Sequence, residues 1–476
     1  MNVTISEAWD SNKIFRPLFR DPETWLPWRT YAKALFASPL EDSKERQLYK
    51  KCTGLERFIQ PKEPFTESYV VVSRRGGKSF TLSILAVFVS IFKDWTPFLT
   101  TGEKGWVFII STDKTQSRII KGYIESILDS QPIFRNMVEK VTSEEIHLKN
   151  KINIIIKTPT FRGTRGFSLV CCLLEELAFW RSEEHLANVD YEILRALRPA
   201  MATVPGSILI GISSPYQKRG ILFDMYSKYW GDSNGPLIWV APSILMNPTL
   251  DKNIIKNAYD RDPAAARSEW DAFFRDDISN FLGIDEIRGS IVTGRYELPK
   301  IADVKYRGFL DPSGGKSDSM CLCLSHMESS GKIVIDVIRE RRPPFQPADV
   351  VKEFSGVLES FNVREIESDR YAGEWVSSAF SDFGIRVKNS ALNKSEIYLE
   401  FQPLLLNGTV ELLDSRRMAA QLSNLERRTR PGGKDAVDHI RGQHDDVANV
   451  VAAAAVLCSQ KKKSGSYFGF SERPMY

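Results

Sequence analysis

Residues 69–92 restrict the fold of this chain more than any other stretch. Tyr69-Val-Val-Val72 is a short apolar run rich in β-branched residues, residues 73–79 read Ser-Arg-Arg-Gly-Gly-Lys-Ser, and Phe80 to Phe92 is an apolar stretch long enough for a buried helix. Strand, glycine-bearing loop and helix in that order predict a βα unit of an α/β fold, since both elements are mostly apolar, the second carrying only Thr and Ser among its apolar residues, and need cover. The loop between them predicts chemistry. Backbone N–H groups and a helix N-terminus converge on an anion, Lys78 reaches the terminal phosphates of a nucleotide, and Ser79 holds Mg²⁺. Arg74, Arg75, Gly76 and Gly77 complete the expected nucleotide-binding loop. The first glycine of the usual pattern falls at position 72, which is Val, so this loop is a deviant form.

The tetrapeptide Gly-Gly-Lys-Ser occurs again at residues 314–317, so context must decide which copy binds phosphate. The second copy is followed by Ser319-Met-Cys-Leu-Cys-Leu-Ser, which reads as a strand and offers no helix terminus. Its neighbour Asp311 matters more. It ends the strand-like run Tyr306 to Leu310, where a carboxylate is placed either to hold a metal or to open the turn that follows.

A phosphate-loop ATPase needs a second acidic site on a neighbouring strand. Ser168-Leu-Val-Cys-Cys-Leu-Leu-Glu175-Glu176 supplies it, with Glu175 on the metal side and Glu176 orienting the attacking water. Ile152 to Lys157 is another strand candidate, followed by Arg162-Gly-Thr-Arg165-Gly. Arg165 is placed either to stabilise charge on the transferred phosphoryl group, in the same subunit or a neighbour, or to contact DNA. Ser207 to Ile212 predicts a further strand, and its end at Ser213-Ser214-Pro215 is either suited to sensing a γ-phosphate or simply a turn signal.

The C-terminal half presents acids at the ends of three elements: Asp311, Asp369 after Val363-Arg-Glu-Ile-Glu-Ser, and Asp445-Asp446 at the start of a small-residue helix. Converging carboxylates of this kind suit a two-metal site for phosphodiester cleavage. Capping the helix is the competing use of Asp445 and Asp446. Arg427, Arg428, Arg430 and Lys434 around Gly432-Gly433 read either as a grip on a nucleic-acid backbone or as a solvated loop.

Length and composition accommodate two such sites. At 476 residues the chain exceeds one core, and 42% apolar with 26% charged residues is ordinary for a folded globular protein. The net charge of +4 does not announce a nucleic-acid binder, so any such affinity must be local. The six cysteines lack metal-ligand spacing and read as buried thiols. No secretory signal is visible, and the Phe80–Phe92 run is too short to span a bilayer.

The order of these motifs, with Leu174-Glu-Glu-Leu-Ala-Phe-Trp180, Asp369-Arg-Tyr-Ala-Gly373 and Asp438-His-Ile-Arg-Gly-Gln-His-Asp-Asp-Val-Ala-Asn449, resembles the large terminase subunit of tailed bacteriophages over roughly residues 20–458. The resemblance implies an N-terminal phosphate-loop ATPase domain of the ASCE-like type (61–240) behind a lead segment (1–60). A helical connector (241–300), an RNase H-like nuclease domain (301–458) and a basic tail (459–476) follow. It implies that Arg74 is the loop arginine, Glu176 the catalytic carboxylate, Arg165 the arginine finger, and Asp311, Asp369 and Asp446 the nuclease metal ligands, with Asp445 a fourth. The family's acid pair is usually Asp-Glu, whereas this chain has Glu175-Glu176, which puts the metal contact of Glu175 in question. Trp25-Leu-Pro-Trp28-Arg29 resembles a segment near the adenine, or serves as an aromatic anchor.

The implied cofactors are ATP with Mg²⁺ at the first site and Mg²⁺ or Mn²⁺ at the second. The implied partners are double-stranded DNA, a portal protein, a small terminase subunit and further copies in a homo-oligomeric ring, often of five, with no membrane. Such a protein works in the host cytoplasm, bound transiently to the procapsid portal, and is no stable part of the virion. An ATP-dependent helicase or restriction-type translocase with a fused nuclease is the alternative the same sites would serve.

Overall fold

The computed structural model describes residues 3–159, 166–180, 189–316, 318–369, 374–429, 435–440 and 443–460. The chain divides at Asp277/Ile278 into two compact units, each mixed α/β.

The first unit is built on eight strands: β1 (Glu67–Val72), β2 (Gly105–Ile110), β3 (Val138–Val141), β4 (Glu145–Leu148), β5 (Ile152–Lys157), β6 (Ser168–Glu175), β7 (Ile208–Ser213) and β8 (Leu237–Ala241). They lie in the order β3-β4-β5-β2-β6-β7-β1-β8. β5, β2, β6, β7, β1 and β8 run parallel, and β3 and β4 extend the sheet antiparallel. A parallel sheet is covered on both faces, which is why β1, β6 and β7 read as unbroken apolar runs. The order inserts β7 between β1, which precedes the first Gly-Gly-Lys-Ser loop, and β6, which ends at Glu175, an ASCE-like arrangement. All three strands end on the same edge.

The N-terminal helices Ile5–Asp10, Leu26–Leu35 and Ser43–Thr53 belong to this unit. Trp9, Trp28 and Tyr31 share a core with Val70, Val72 and Trp239, and the Tyr31 hydroxyl lies 3.0 Å from Ser68 Oγ on β1. The stretch 241–300 is divided. Helices Ser243–Met246, Lys252–Arg261 and Pro263–Asp271 lie in the first unit, and residues 278–300 in the second.

The second unit holds β9 (Ile278–Asn280), β10 (Tyr306–Asp311), β11 (Met320–Met327), β12 (Ile333–Arg341), β13 (Glu365–Ser368), β14 (Arg386–Asn389), β15 (Val410–Glu411), β16 (Leu425–Thr429) and β17 (Asp435–His439). Six form a sheet in the order β14-β13-β10-β11-β12-β15. β10, β11 and β12 are an antiparallel meander, and β13 and β14 run parallel to β10, an RNase H-like layout. β17, β16 and β9 make a small antiparallel sheet. The helix Asp446–Ser459 packs on β10, β11 and β12. Its run Ala452 to Ala455 is buried against the sheet, where alanine lets backbones approach closely, and Ser325 Oγ on β11 donates to Ala454 O at 2.8 Å.

Candidate functional sites

In the first unit the loop after β1 is shaped by residues far away in sequence. Trp28 Nε1 donates to Gly76 O at 2.6 Å, Ser243 Oγ to Arg74 O at 2.6 Å, and Asn247 Nδ2 to Arg75 O at 3.0 Å. Three successive carbonyls are thus taken by side chains, and the Arg74 N–H is donated to Glu269 O at 2.9 Å, so the loop is held from both sides. Gly77 has φ +85°, and a Cβ there would come within 3.1 Å of Trp28 and 3.4 Å of Trp25, so glycine is required by conformation and by space. The 15-residue helix Lys78–Phe92 begins there with no side-chain cap, its first N–H groups open to a ligand. The Trp25–Trp28 segment therefore serves the loop as its anchor. Arg74 is exposed and pairs with Glu269 at 3.3 Å, and Arg75, also exposed, has φ +60°.

The buried Lys78 ammonium lies 2.8 Å from Ser214 Oγ, 3.3 Å from Glu176 Oε1, and 3.1 and 3.3 Å from the carbonyls of Val72 and Ser73. The two acids diverge. Glu175 accepts from Ser79 Oγ and, at 3.0 Å, from Ser111 Oγ just past β2. Glu176, in the left-handed region at φ +50°, accepts from Ser213 Oγ at 2.9 Å and Ser214 N at 3.2 Å. A non-glycine residue held there costs about 1 kcal/mol or more, which the surrounding bonds offset. Burial pushes Glu175 above the ordinary carboxylate range; the bonds from Ser79 and Ser111 oppose this and the charge of Glu176 adds to it. A divalent cation beside Ser79 would relieve that pressure, so the donor set fits Mg²⁺ with a nucleotide.

In the second unit, Leu310 pairs with Ser368, so Asp311 and Asp369 leave neighbouring parallel strands side by side. Asn449 Nδ2 donates to Asp311 Oδ2 at 2.9 Å, while its buried Oδ1 has no donor among the described residues. Burial pushes Asp311 up to about 7; the Asn449 bond opposes this, and the charges of Asp446, Asp445 and Asp369 reinforce it. Asp446 is raised too, by burial and then by Asp445, and accepts from Ser319 N at 3.3 Å. Acids crowded against one another beside an orphaned amide oxygen fit divalent cations.

Asp445 has different company. Its oxygens accept from Tyr398 OH at 2.8 Å and His439 Nδ1 at 2.9 Å, and Lys394 Nζ stands 3.0 and 2.8 Å from the two of them. Burial favours the neutral acid, but His439 and Lys394 outweigh it and hold Asp445 below its usual value. His439 is carried up to about 9 by its bonds to Asp438 and Asp445. Asp438, His439 and Asp445 each bring a ligand atom within 4.8 Å of the others, yet the Lys394 ammonium sits among them, 2.9 Å from Asp438. Neither acid caps the helix through its side chain. Gln421 Oε1 does so, accepting from Val447 N at 2.9 Å and Ala448 N at 3.0 Å.

Some expectations meet local detail. The second Gly-Gly-Lys-Ser follows β10 and leads into antiparallel β11 with no helix after it. Arg427 is bonded to Asp435 at 2.7 Å and Arg428 to Glu426 at 3.2 Å, both within the hairpin of β16 and β17. Arg162 and Arg165, Arg370–Gly373, Arg430–Lys434 and Lys461–Lys463 lie outside the described residues. Sequence reading missed Ser111, Lys394, Tyr398 and Gln421, which arrive from distant segments. It also gave Asn449 no role, although three residues past Asp446 on a helix is the spacing of a shared face.

No family model and no curated protein matches this chain. Solved structures do. The HK97 bacteriophage large terminase aligns at TM-score 0.39 and 13% identity over 92% of this chain and 95% of that one. This chain is similar to phage large terminases. The large terminase of a thermophilic bacteriophage, in complex with ADP, aligns at TM-score 0.38 and 11% identity, covering 90% of this chain and 98% of its own. The large terminase nuclease of thermophilic phage G20c with bound magnesium covers 37% of this chain and 95% of its own, at TM-score 0.32 and 13% identity. Likenesses this distant fix neither activity nor partner, so the chemistry rests on this chain's own residues.

Proposed function

We propose that this chain is the large terminase of a tailed phage or prophage: an ATPase that drives double-stranded DNA into a procapsid, joined to a metal-dependent nuclease that cuts concatemers. The observation that carries the reading is the meeting of Lys78, Glu176 and Ser214 at three strand ends, in a chain whose second sheet gathers Asp311, Asp369 and Asp446.

At the first site Lys78 takes the terminal phosphates, and Glu176, fixed by Ser213 and Ser214, orients the attacking water. Ser79 and Glu175 would hold Mg²⁺, and Arg165 stabilises the transferred group. At the second site Asp311, Asp369 and Asp446 would hold Mg²⁺ or Mn²⁺. Such ions supply Lewis-acid stabilisation and an activated water. Asn449 holds Asp311 in place.

DNA is what the first step moves and the second step cuts. Despite the small net charge, Lys114, Arg118 and Lys157 gather with Lys121, which pairs with Glu125, and with Glu144 around a cleft of about 350 Å³ at the carboxyl end of β5, a surface with a basic excess suited to phosphodiesters. Portal protein, small terminase subunit and a ring of copies complete the proposed motor, acting in the host cytoplasm. Among the described residues no helix is long and apolar enough to cross a membrane.

The test compares wild type, Lys78→Ala and Asp311→Asn for ATP hydrolysis and for plasmid cleavage in Mn²⁺ or Mg²⁺. The first substitution abolishes hydrolysis alone and the second cleavage alone; retention of both activities in both variants rules out these sites. A strand-displacement assay distinguishes the motor from a helicase.

A further inference from the structure

Asp445 occupies a position that suggests two uses, and its contacts serve neither. It stands at the N-cap of the helix Asp446–Ser459, yet Gln421 does the capping. It neighbours the metal-ligand candidate Asp446, yet Lys394, Tyr398 and His439 occupy both its oxygens at 2.8 to 3.0 Å. A carboxylate offers about four acceptor sites, and these contacts consume them.

Lys394 opens the helix Lys394–Leu406, fixed by a capping box between Asn393 and Glu396. Its ammonium bridges buried Asp445 and the more exposed Asp438, with the lysine side chain 29% exposed and His439 31%. Two acids and two cations balance here. The cluster therefore offers directed donors to an anion without adding net positive charge against divalent ions at Asp311, Asp369 and Asp446. Acids alone would repel a phosphodiester. An ion pair of this kind contributes little to stability compared with apolar packing, so its value lies in position.

We infer that Asp445 is the counter-ion that fixes Lys394 and His439 beside the nuclease acids, not a fourth metal ligand, and that Lys394 contacts a backbone phosphate of the DNA strand at that site. The inference rests on the nuclease reading above. Asp445 is a positioning residue, Lys394 exchanges its outer partner Asp438 for the phosphate oxygen, and metal binding is left to Asp311, Asp369 and Asp446.

The decisive variant is the double substitution Lys394→Met/Asp445→Asn, which removes the ion pair whole and strands neither charge. Mn²⁺ binding to the full chain is measured by titration calorimetry, and binding of a short duplex in Ca²⁺ by anisotropy across a salt series. The double variant keeps its Mn²⁺ dissociation constant within about threefold of wild type, while Asp446→Asn weakens it by about tenfold or more. Lys394→Met weakens duplex binding and lowers the slope of log K against log salt by about 0.9, one phosphate contact, and Lys394→Arg restores the slope. Loss of Mn²⁺ in the double variant matching that in Asp446→Asn makes Asp445 a ligand and overturns the inference. So does an unchanged salt slope in Lys394→Met. Absence of Mn²⁺ binding in the wild type refutes the nuclease reading itself, and the inference with it.

Discussion

The two candidate sites both gather acids at strand ends, but they settle their charges differently. In the first unit the acids have neutral and cationic partners close by, Glu176 with Ser213, Ser214 and Lys78 and Glu175 with the hydroxyls of Ser79 and Ser111, although burial still raises Glu175. In the second, Asp445 is matched by Lys394, His439 and Tyr398, while Asp311 has the amide of Asn449 and is pushed up to about 7. On the proposed function, a nucleotide would bring its own charge and cation to the first site, whereas the acids of the second would have to gather cations themselves, and Asp311 is pushed up further than Glu175.

The largest effect that would break this contrast is catalytic. Glu176→Gln should lower ATP hydrolysis by about 10² to 10⁴-fold while binding of a fluorescent ATP analogue and plasmid cleavage persist, since the amide keeps the serine bonds but not the carboxylate. A fall in nucleotide affinity instead would mean that Glu176 supports the loop rather than the reaction.

The next effect is on stability against pH. Asp311 in the folded chain titrates at about 7 against 3.8 for an ordinary aspartate, so between these values the native state binds the extra proton. Stability then falls as pH rises from about 4 to about 7, the opposite of a salt-bridged carboxylate. Thermal melts in EDTA should show that decline, Asp311→Asn should flatten it, and Mn²⁺ should restore stability to the wild type only. A wild-type profile that does not fall relative to that of Asp311→Asn over this window contradicts the charge imbalance.

Smaller effects test the scaffolds. Gln421→Ala removes the acceptor for two helix N–H groups and should cost about 1 to 2 kcal/mol, or roughly 2 to 8 °C in the melting of the second unit, without altering ATP hydrolysis. Trp28→Phe removes one bond to the phosphate loop, worth about 1 kcal/mol, and should raise KM for ATP about fivefold with little change in plasmid cleavage. An equal effect on both activities would show that Trp28 stabilises the whole chain and not the loop.

The same contrast explains what could be read from sequence. The first site is contiguous over Ser73 to Ser79 and completed by two apolar strands whose ends are marked by Glu175-Glu176 and Ser213-Ser214, so strand, loop and acids were all legible. Its supports were not, because Ser243 and Asn247 reach the loop from about 170 residues away and carry no local pattern. At the second site the acids were legible as ends of elements. Their partners Lys394, Tyr398 and Gln421 are ordinary helical residues until the fold brings them to Asp445 and to the helix that begins at Asp446. That is also why Asp445 reads as one more acid in sequence and as a counter-ion in space.

The left-handed turn at Glu176 has a mechanical corollary. It sends adjacent side chains to different strands, Glu175 toward the end of β2 through Ser111 and Glu176 toward the end of β7 through Ser213 and Ser214. The acid pair is therefore a fork with its handle on β6. A shift of β2 tugs one tine and a shift of β7 the other, so sliding between strands is converted into unequal loads on two neighbouring carboxylates.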